Sequence, residues 1–405
     1  RLNTSISKAN EKSMKFLLVL LLSVPAFTFA ATINPNQAGA ERLDLYLPLL
    51  KEKKVGLVVN QTSISQDQHL VDLLLSKGVQ ISKIFALEHG FRGNQDAGAI
   101  IKSGRDVKTG LPIHSLYGKQ KKPSSESLAS VDIIVFDIQD VGVRFYTYIN
   151  SMFYAMQAAA EHNIPFVVLD RPNPNIRYVD GPMLEPQHQS FVGLLPIPLL
   201  HGMTVAELAQ MIVGENWLNT INAGDISDRK LQLKVVPVEG YRRFDDYQLP
   251  VLPSPNLPNQ QAITLYPSLC FFEATGVSIG RGTDFPFQVI GHDKIAIGEF
   301  QFTPRSIVGA ASNPKLKGIK LTGMDLRNSN TKGLDLSLFY QWHQAFQAED
   351  EVFFTRPSFM DKLAGTSQIR LDLQAGKSLD EIRAKWRSGI ETFKRQRQAY
   401  LIYPE

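Results

Sequence analysis

Val131-Asp132-Ile133-Ile134-Val135-Phe136 is a near-continuous apolar run, and Asp137-Ile138-Gln139-Asp140 follows it directly. Apart from Asp132 the run is apolar, as a strand of a sheet covered on both faces requires. Working outward, three similar runs appear: Val55 to Val59, Ile81 to Leu87 and Pro165 to Leu169. Helical spacing separates them, with Leu70, Leu73 and Leu74 between His69 and Lys77, and a long helix over Tyr148 to Glu161. Apolar strands alternating with helices predict an α/β, Rossmann-like domain with a parallel sheet. A helix after Thr204 carries a capping box with Glu207.

Beyond about residue 220 the texture changes, with four prolines between Pro250 and Pro258 and glycine-rich loops around Gly276, Gly280 and Gly282. A strand over Leu231–Val238, a helix over Leu334–Phe346 and one helix opened by Ser378 and carrying Ile382, Trp386, Ile390 and Phe393 are expected here. The organisation expected is a Rossmann-like α/β domain over 35–215 and a second, smaller α/β domain over 220–405.

Residues 16–30 form an apolar run behind Met14-Lys15 that closes in Thr28-Phe29-Ala30. This is the pattern of a secretory signal peptide over 14–30, with Pro25 interrupting a run too short to span a bilayer. Met14 is the natural start, so residues 1–13 read as upstream sequence. No cysteine follows the run, so a lipid anchor is not expected, and the mature protein should be periplasmic or secreted. The formal charge of +4 is mostly a leader effect: without the first thirty residues 39 basic face 38 acidic side chains. Nothing in that balance asks for nucleic acid. Cys270, the only cysteine, can form no internal disulfide.

Ligands of open parallel sheets bind beyond the carboxyl ends of the strands. The four runs end in Asn60-Gln61-Thr62, in Glu88-His89-Gly90-Phe91-Arg92, in Asp137 to Asp140 followed by Arg144, and in Asp170-Arg171-Pro172-Asn173. Turn chemistry explains Asn60 and the Asp170 segment, but explains Glu88 less well. No Gly-x-Gly-x-x-Gly or P-loop follows the first strand, and the eight histidines lack metal-ligand spacing, so neither cofactor nor metal is expected. Gly276-Val277-Ser278-Ile279-Gly280 matches a nucleophile elbow, yet loop sequence rather than a helix follows Ser278. A serine esterase is thus the weakest reading, and a non-catalytic periplasmic sugar-binding protein is the other alternative.

Taken together, Glu88-His89-Gly90-Phe91-Arg92-Gly93, Asp137 through Tyr148, Asp170-Arg171-Pro172-Asn173-Pro174, Val179-Asp180-Gly181-Pro182, His201-Gly202-Met203-Thr204, Pro253 through Pro258, Glu273-Ala274-Thr275 and Gly280-Arg281-Gly282-Thr283 resemble the exo-β-N-acetylmuramidase family. The resemblance covers nearly all of the mature chain. It implies two domains with an active-site cleft between them, and release of terminal N-acetylmuramic acid from the non-reducing end of peptidoglycan fragments. Where the family usually has a glycine turn after Pro174, this chain has Asn175-Ile176-Arg177-Tyr178.

Glycoside cleavage needs a proton donor and a group that meets the sugar cation or a water. Glu88, leaving an apolar strand where desolvation favours a protonated carboxyl, is the expected acid, with His89 assisting. Asp140 is the expected second carboxylate and Glu273 the alternative; a substrate acetamido group acting as nucleophile stays open. Arg281, Arg92 and Arg144 are the candidates for the lactyl carboxylate of muramic acid. Tyr146, Tyr148 and Tyr266 are candidates for stacking on the sugar. Asn60, Gln139, Asp170, Arg171 and Asn256 complete the expected substrate contacts.

Overall fold

A computed structural model describes residues 37–88, 90–92, 103–118, 120–221 and 230–405. The expected signal peptide, His89 and Gly93 lie outside the described residues. The apolar runs become strands β1 (Val55–Val59), β2 (Ile81–Ala86), β5 (Ile133–Asp137) and β6 (Phe166–Leu169). Three further strands join them: β3 (Gly104–Arg105), β4 (Pro112–Ser115) and β7 (Leu233–Val236). The sheet order is β7-β6-β5-β1-β2-β4-β3, parallel throughout except for the antiparallel edge strand β3.

Strand alternation sorts side chains onto two faces. Val55, Leu57 and Val59 of β1, Ile133 and Val135 of β5, and Val167 and Leu169 of β6 pack in one cluster with Leu70, Val71 and Leu74 of the helix Leu70–Ser76. Val58, Ile134, Phe136, Phe166 and Val168 face the other way, against the helices Tyr148–Glu161 and Val205–Gly214. That second cluster continues through Phe271, Phe339 and Trp342, so one core runs under both lobes. The chain from Pro35 to Glu405 is correspondingly one compact unit.

The smaller lobe carries an antiparallel sheet of β8 (Val289–His292), β9 (Phe300–Phe302) and β10 (Leu321–Asp325), ordered β8-β10-β9. Helices Gln260–Leu269 and Pro357–Ala364 pack on the 3₁₀ turn Cys270–Ala274, and Phe346 of the helix Ser337–Ala348 packs on His292 of β8. The strand expected over 231–238 exists, but as β7 it is the edge of the large sheet, so that sheet takes a strand from beyond residue 220. The expected single C-terminal helix is two, Leu379–Ala384 and Arg387–Arg397. Ile382, Trp386, Ile390 and Phe393 are still all buried, because the break preserves the apolar face. The segment without its glycine closes as a turn in which Asn173 Oδ1 accepts from Asn175 N at 2.8 Å and Asn175 Nδ2 donates to Val141 O at 2.8 Å. No residue from Pro174 to Tyr178 has a positive φ, so glycine is not required there.

Candidate active site

The strand order reverses between β1 and β5, where an open parallel sheet forms its binding crevice. Here that crevice is filled by the protein's own polar groups. Asn60 Oδ1 accepts from Thr62 N and Thr62 Oγ1, Gln139 N donates to Thr62 Oγ1 at 2.9 Å, and Gln139 Nε2 donates to Asp140 O and Pro172 O. Arg171 holds Asp137 bidentately, at 2.6 and 2.9 Å, with both side chains buried. Asp170 accepts from Thr204 Oγ1, Ala206 N and Tyr403 Oη, docking the capped helix Val205–Gly214 and the C-terminal tail. Asn60, Gln139, Asp170 and Arg171, expected to touch substrate, thus lie in hydrogen-bonded networks off the cavity described below, though Asn60 Nδ2 and Gln139 Oε1 keep no partner among the described residues.

The open space lies to one side, between the lobes. A cavity of about 890 Å³ is lined by Glu88, Tyr146, Thr147 and Tyr148 from the large lobe and by Asn256, Tyr266, Glu273, Arg281, Lys315 and Arg356 from the remainder. Glu88 and Glu273 are the two carboxylates among its described lining residues. Glu88 is half-buried just past β2. Tyr117 Oη donates to its Oε1 at 2.9 Å, Thr147 Oγ1 to its Oε2 at 3.3 Å, and Tyr148 Oη to its main-chain carbonyl at 3.2 Å.

Opposite the Glu88 lobe, the 3₁₀ turn Cys270–Ala274 presents Glu273, whose Oε1 accepts from Arg281 Nε at 2.6 Å. Burial alone would raise this carboxyl, but Arg281 and then Lys315 more than offset it and hold it below the usual carboxylate range. Burial pushes the Lys315 ammonium down to about 8, against the attraction of Glu273.

Asp140, the preferred second carboxylate, does not line the cavity. It is buried, its Oδ2 accepts from Gly142 N at 2.6 Å, and desolvation pushes its carboxyl up to about 7. A site at which the neutral acid is favoured is a poor place for a charge that must meet a sugar cation. Arg144 is fully buried, donating to Pro182 O, Ile197 O, Leu363 O and Ala364 O, so it holds the helix Pro357–Ala364 rather than a ligand. Arg92 is also away from the cavity, gripping Asp106 through Nε and Nη2 at 3.2 and 2.8 Å over the Phe91 ring.

Tyr146, Tyr148 and Tyr266 all line the cavity, but packed edge-on: Tyr146 lies 5.1 Å from Tyr148 and 5.9 Å from Tyr266 between ring centroids. Asn256 is buried in the wall, with Nδ2 donating to Ala310 O. Ser278 also lines it, paired through its main chain with Gly291; no helix follows it and no described histidine bonds its hydroxyl.

The N-terminal model of the exo-beta-N-acetylmuramidase NamZ family matches residues 55–261 and the C-terminal model residues 264–403. The chain belongs to this exo-β-N-acetylmuramidase family. It is therefore a glycoside hydrolase. A relative from Bacillus subtilis (strain 168), the peptidoglycan beta-N-acetylmuramidase NamZ, is 40% identical over 380 residues, 88% of this chain and 89% of the relative. Two crystal structures of DUF1343 family proteins from Bacteroides fragilis NCTC 9343 share the fold. One has a TM-score of 0.81 at 44% identity and the other 0.76 at 30%, each covering 91% of this chain and 99% of its own.

For a muramidase-family site, the residues missed by sequence reasoning are Tyr117, Thr147, Lys315 and Arg356. Tyr117 follows β4, whose Pro112-Ile113-His114-Ser115 is too short and polar to register as an apolar run. Thr147 stands just before the helix Tyr148–Glu161 that was expected, and its place there was the available signal. Lys315 and Arg356 carry no local signal; only the fold brings them to Glu273.

Proposed function

We propose that this protein is an exo-acting glycosidase that releases N-acetylmuramic acid from the non-reducing end of peptidoglycan fragments, in cell-wall turnover or recycling. The observation that carries the reading is the sharing of one cavity by Glu88 and Glu273, one from each side. In this reading Glu88 gives its proton to the glycosidic oxygen as the bond to the anomeric carbon breaks, while Tyr117 and Thr147 hold the carboxyl in place. Glu273, kept ionised by Arg281 and Lys315, supplies the negative charge for the oxocarbenium-like sugar or for the water that adds to it. The Bacillus subtilis relative, whose name carries the muramidase activity, supports the substrate class.

The test is product analysis on defined glycan fragments ending in N-acetylmuramic acid. Free N-acetylmuramic acid should appear while the chain shortens from its non-reducing end. Internal cleavage products, or no monosaccharide release, would overturn the reading. Export belongs to the same proposal, supported by residues 14–30. Secreted material should begin after Ala30; an N-terminus retaining residues 14–30 would refute this part alone.

A further inference from the structure

Three cations line the cavity: Arg281, Lys315 and Arg356. Two already have work within the protein. Lys315 Nζ donates to the carbonyls of Phe272, Thr275 and Val277, at 2.9, 2.5 and 3.1 Å, which uses all three ammonium donors. Arg281 is tied to Glu273 at 2.6 Å, so most of its charge is answered by that carboxylate. Arg356 differs. Among the described residues its side chain makes no ion pair and no hydrogen bond, and its guanidinium lies over the Phe359 ring at 4.2 Å.

The main chain of Arg356 is nonetheless fixed, although its side chain is exposed. It caps the helix Pro357–Ala364, and its main-chain N donates at 3.0 Å to Ala274 O, the residue after Glu273. Glu273 and Lys315 both feel its charge. A guanidinium held over an aromatic ring still has N–H donors free to take a carboxylate, bidentately where the fork reaches it.

We infer that Arg356 is the specificity-determining residue that binds the carboxylate of the 3-O-lactyl group of muramic acid. This rests on the muramidase reading above. It replaces three sequence candidates on physical grounds: Arg144 is sealed in the core, Arg92 is spent on Asp106, and Arg281 is engaged by Glu273. A cation without an ion-paired carboxylate among the described residues, on the Glu273 wall, separates muramic acid from N-acetylglucosamine, which has no charge at that position.

The experiment compares a chromogenic N-acetylmuraminide carrying the free lactyl acid with the same compound as its neutral lactamide. The quantity read is the ratio of kcat/KM values, acid over amide. Wild type should favour the acid. Arg356→Gln should lower that ratio by about tenfold to a hundredfold, the range for one hydrogen-bonded charge contact, and Arg356→Lys should lower it less. Arg281→Gln should slow both compounds and leave the ratio near its wild-type value. If Arg356→Gln keeps the wild-type ratio, or Arg281→Gln alone abolishes it, the inference is overturned. If wild type cleaves neither muraminide, the muramidase reading itself has failed, and the inference falls with it.

Discussion

Tyr117 Oη, just past the C-terminal end of β4, donates at 2.9 Å to Oε1 of Glu88, just past the same end of the parallel neighbour β2, so the two strands jointly aim one carboxyl into the cavity. With Thr147 on the other oxygen, Glu88 is oriented from both sides. Glu88→Gln preserves the shape but has no acidic proton, so kcat should fall by about 10²–10⁴-fold while binding of the product sugar survives. Normal turnover by this variant would make Glu88 structural.

Tyr117→Phe tests the orientation separately. The ring remains and only the hydrogen bond is lost, so kcat should drop by about tenfold with KM little changed. A rise in KM at unchanged kcat would assign Tyr117 to ground-state substrate binding instead.

Glu273 and Asp140 make opposite claims on the second role. Glu273 lines the cavity and is held ionised, whereas Asp140 is off the cavity and biased toward its neutral form. Glu273→Gln should therefore cost about 10²-fold or more in kcat, and Asp140→Asn only a few-fold. Steady-state kinetics giving the reverse order would return the role to Asp140.

Burial raises both Asp140 and Asp170 to about 7 in the folded protein. Their unfolded values are near 3.9, so between about pH 4 and 7 the folded state holds more protons than the unfolded one. Their contribution to stability is full at the acid end of that window and is lost as pH rises through about 7. The unfolding free energy from denaturant titrations should fall from pH 5 to pH 8, by about 1 kcal/mol or more for each carboxyl. Asp140→Asn, which still offers an oxygen to Gly142 N, should flatten the trend, and an unchanged slope would exclude Asp140 as its source.

Arg144 satisfies four main-chain carbonyls and has no ion-paired carboxylate among the described residues, and desolvation lowers it to about 9. Arg144→Met removes all of those donors at once. It should destabilise the fold by about 3 kcal/mol or more in equilibrium unfolding, because each buried carbonyl is left unsatisfied. A loss below about 1 kcal/mol would mean that water replaces the guanidinium.

Four strands of the sheet, β1, β2, β5 and β6, were legible because they are near-continuous apolar runs, and the helix Tyr148–Glu161 starts and stops where it was expected. Both capping boxes formed as spaced, Thr204 with Glu207 and Ser378 with Glu381. Glu88 stood out because a glutamate at the end of such a strand has no turn role to explain it. Asn60, Gln139, Asp170 and Arg171 lie off the cavity, and the reason the sequence does not tell this is physical. A strand-end polar group can be satisfied by a ligand or by a neighbouring strand end, and the local sequence is the same in either case.

Hydrophobic period and cap chemistry are local, acting over a few residues, and from them the sequence alone determined the strands, several helices and the candidate acid. The partner of that acid was decided elsewhere. Glu273, Arg281, Lys315 and Arg356 are spread over more than eighty residues and meet within the smaller lobe, on the wall facing Glu88. Their charges acquire meaning from what surrounds them: burial weakens Lys315, Arg281 keeps Glu273 ionised, and Phe359 supports an Arg356 with no counterion in the described structure. Desolvation and through-space charge depend on distance in three dimensions, which tertiary packing sets and sequence spacing does not.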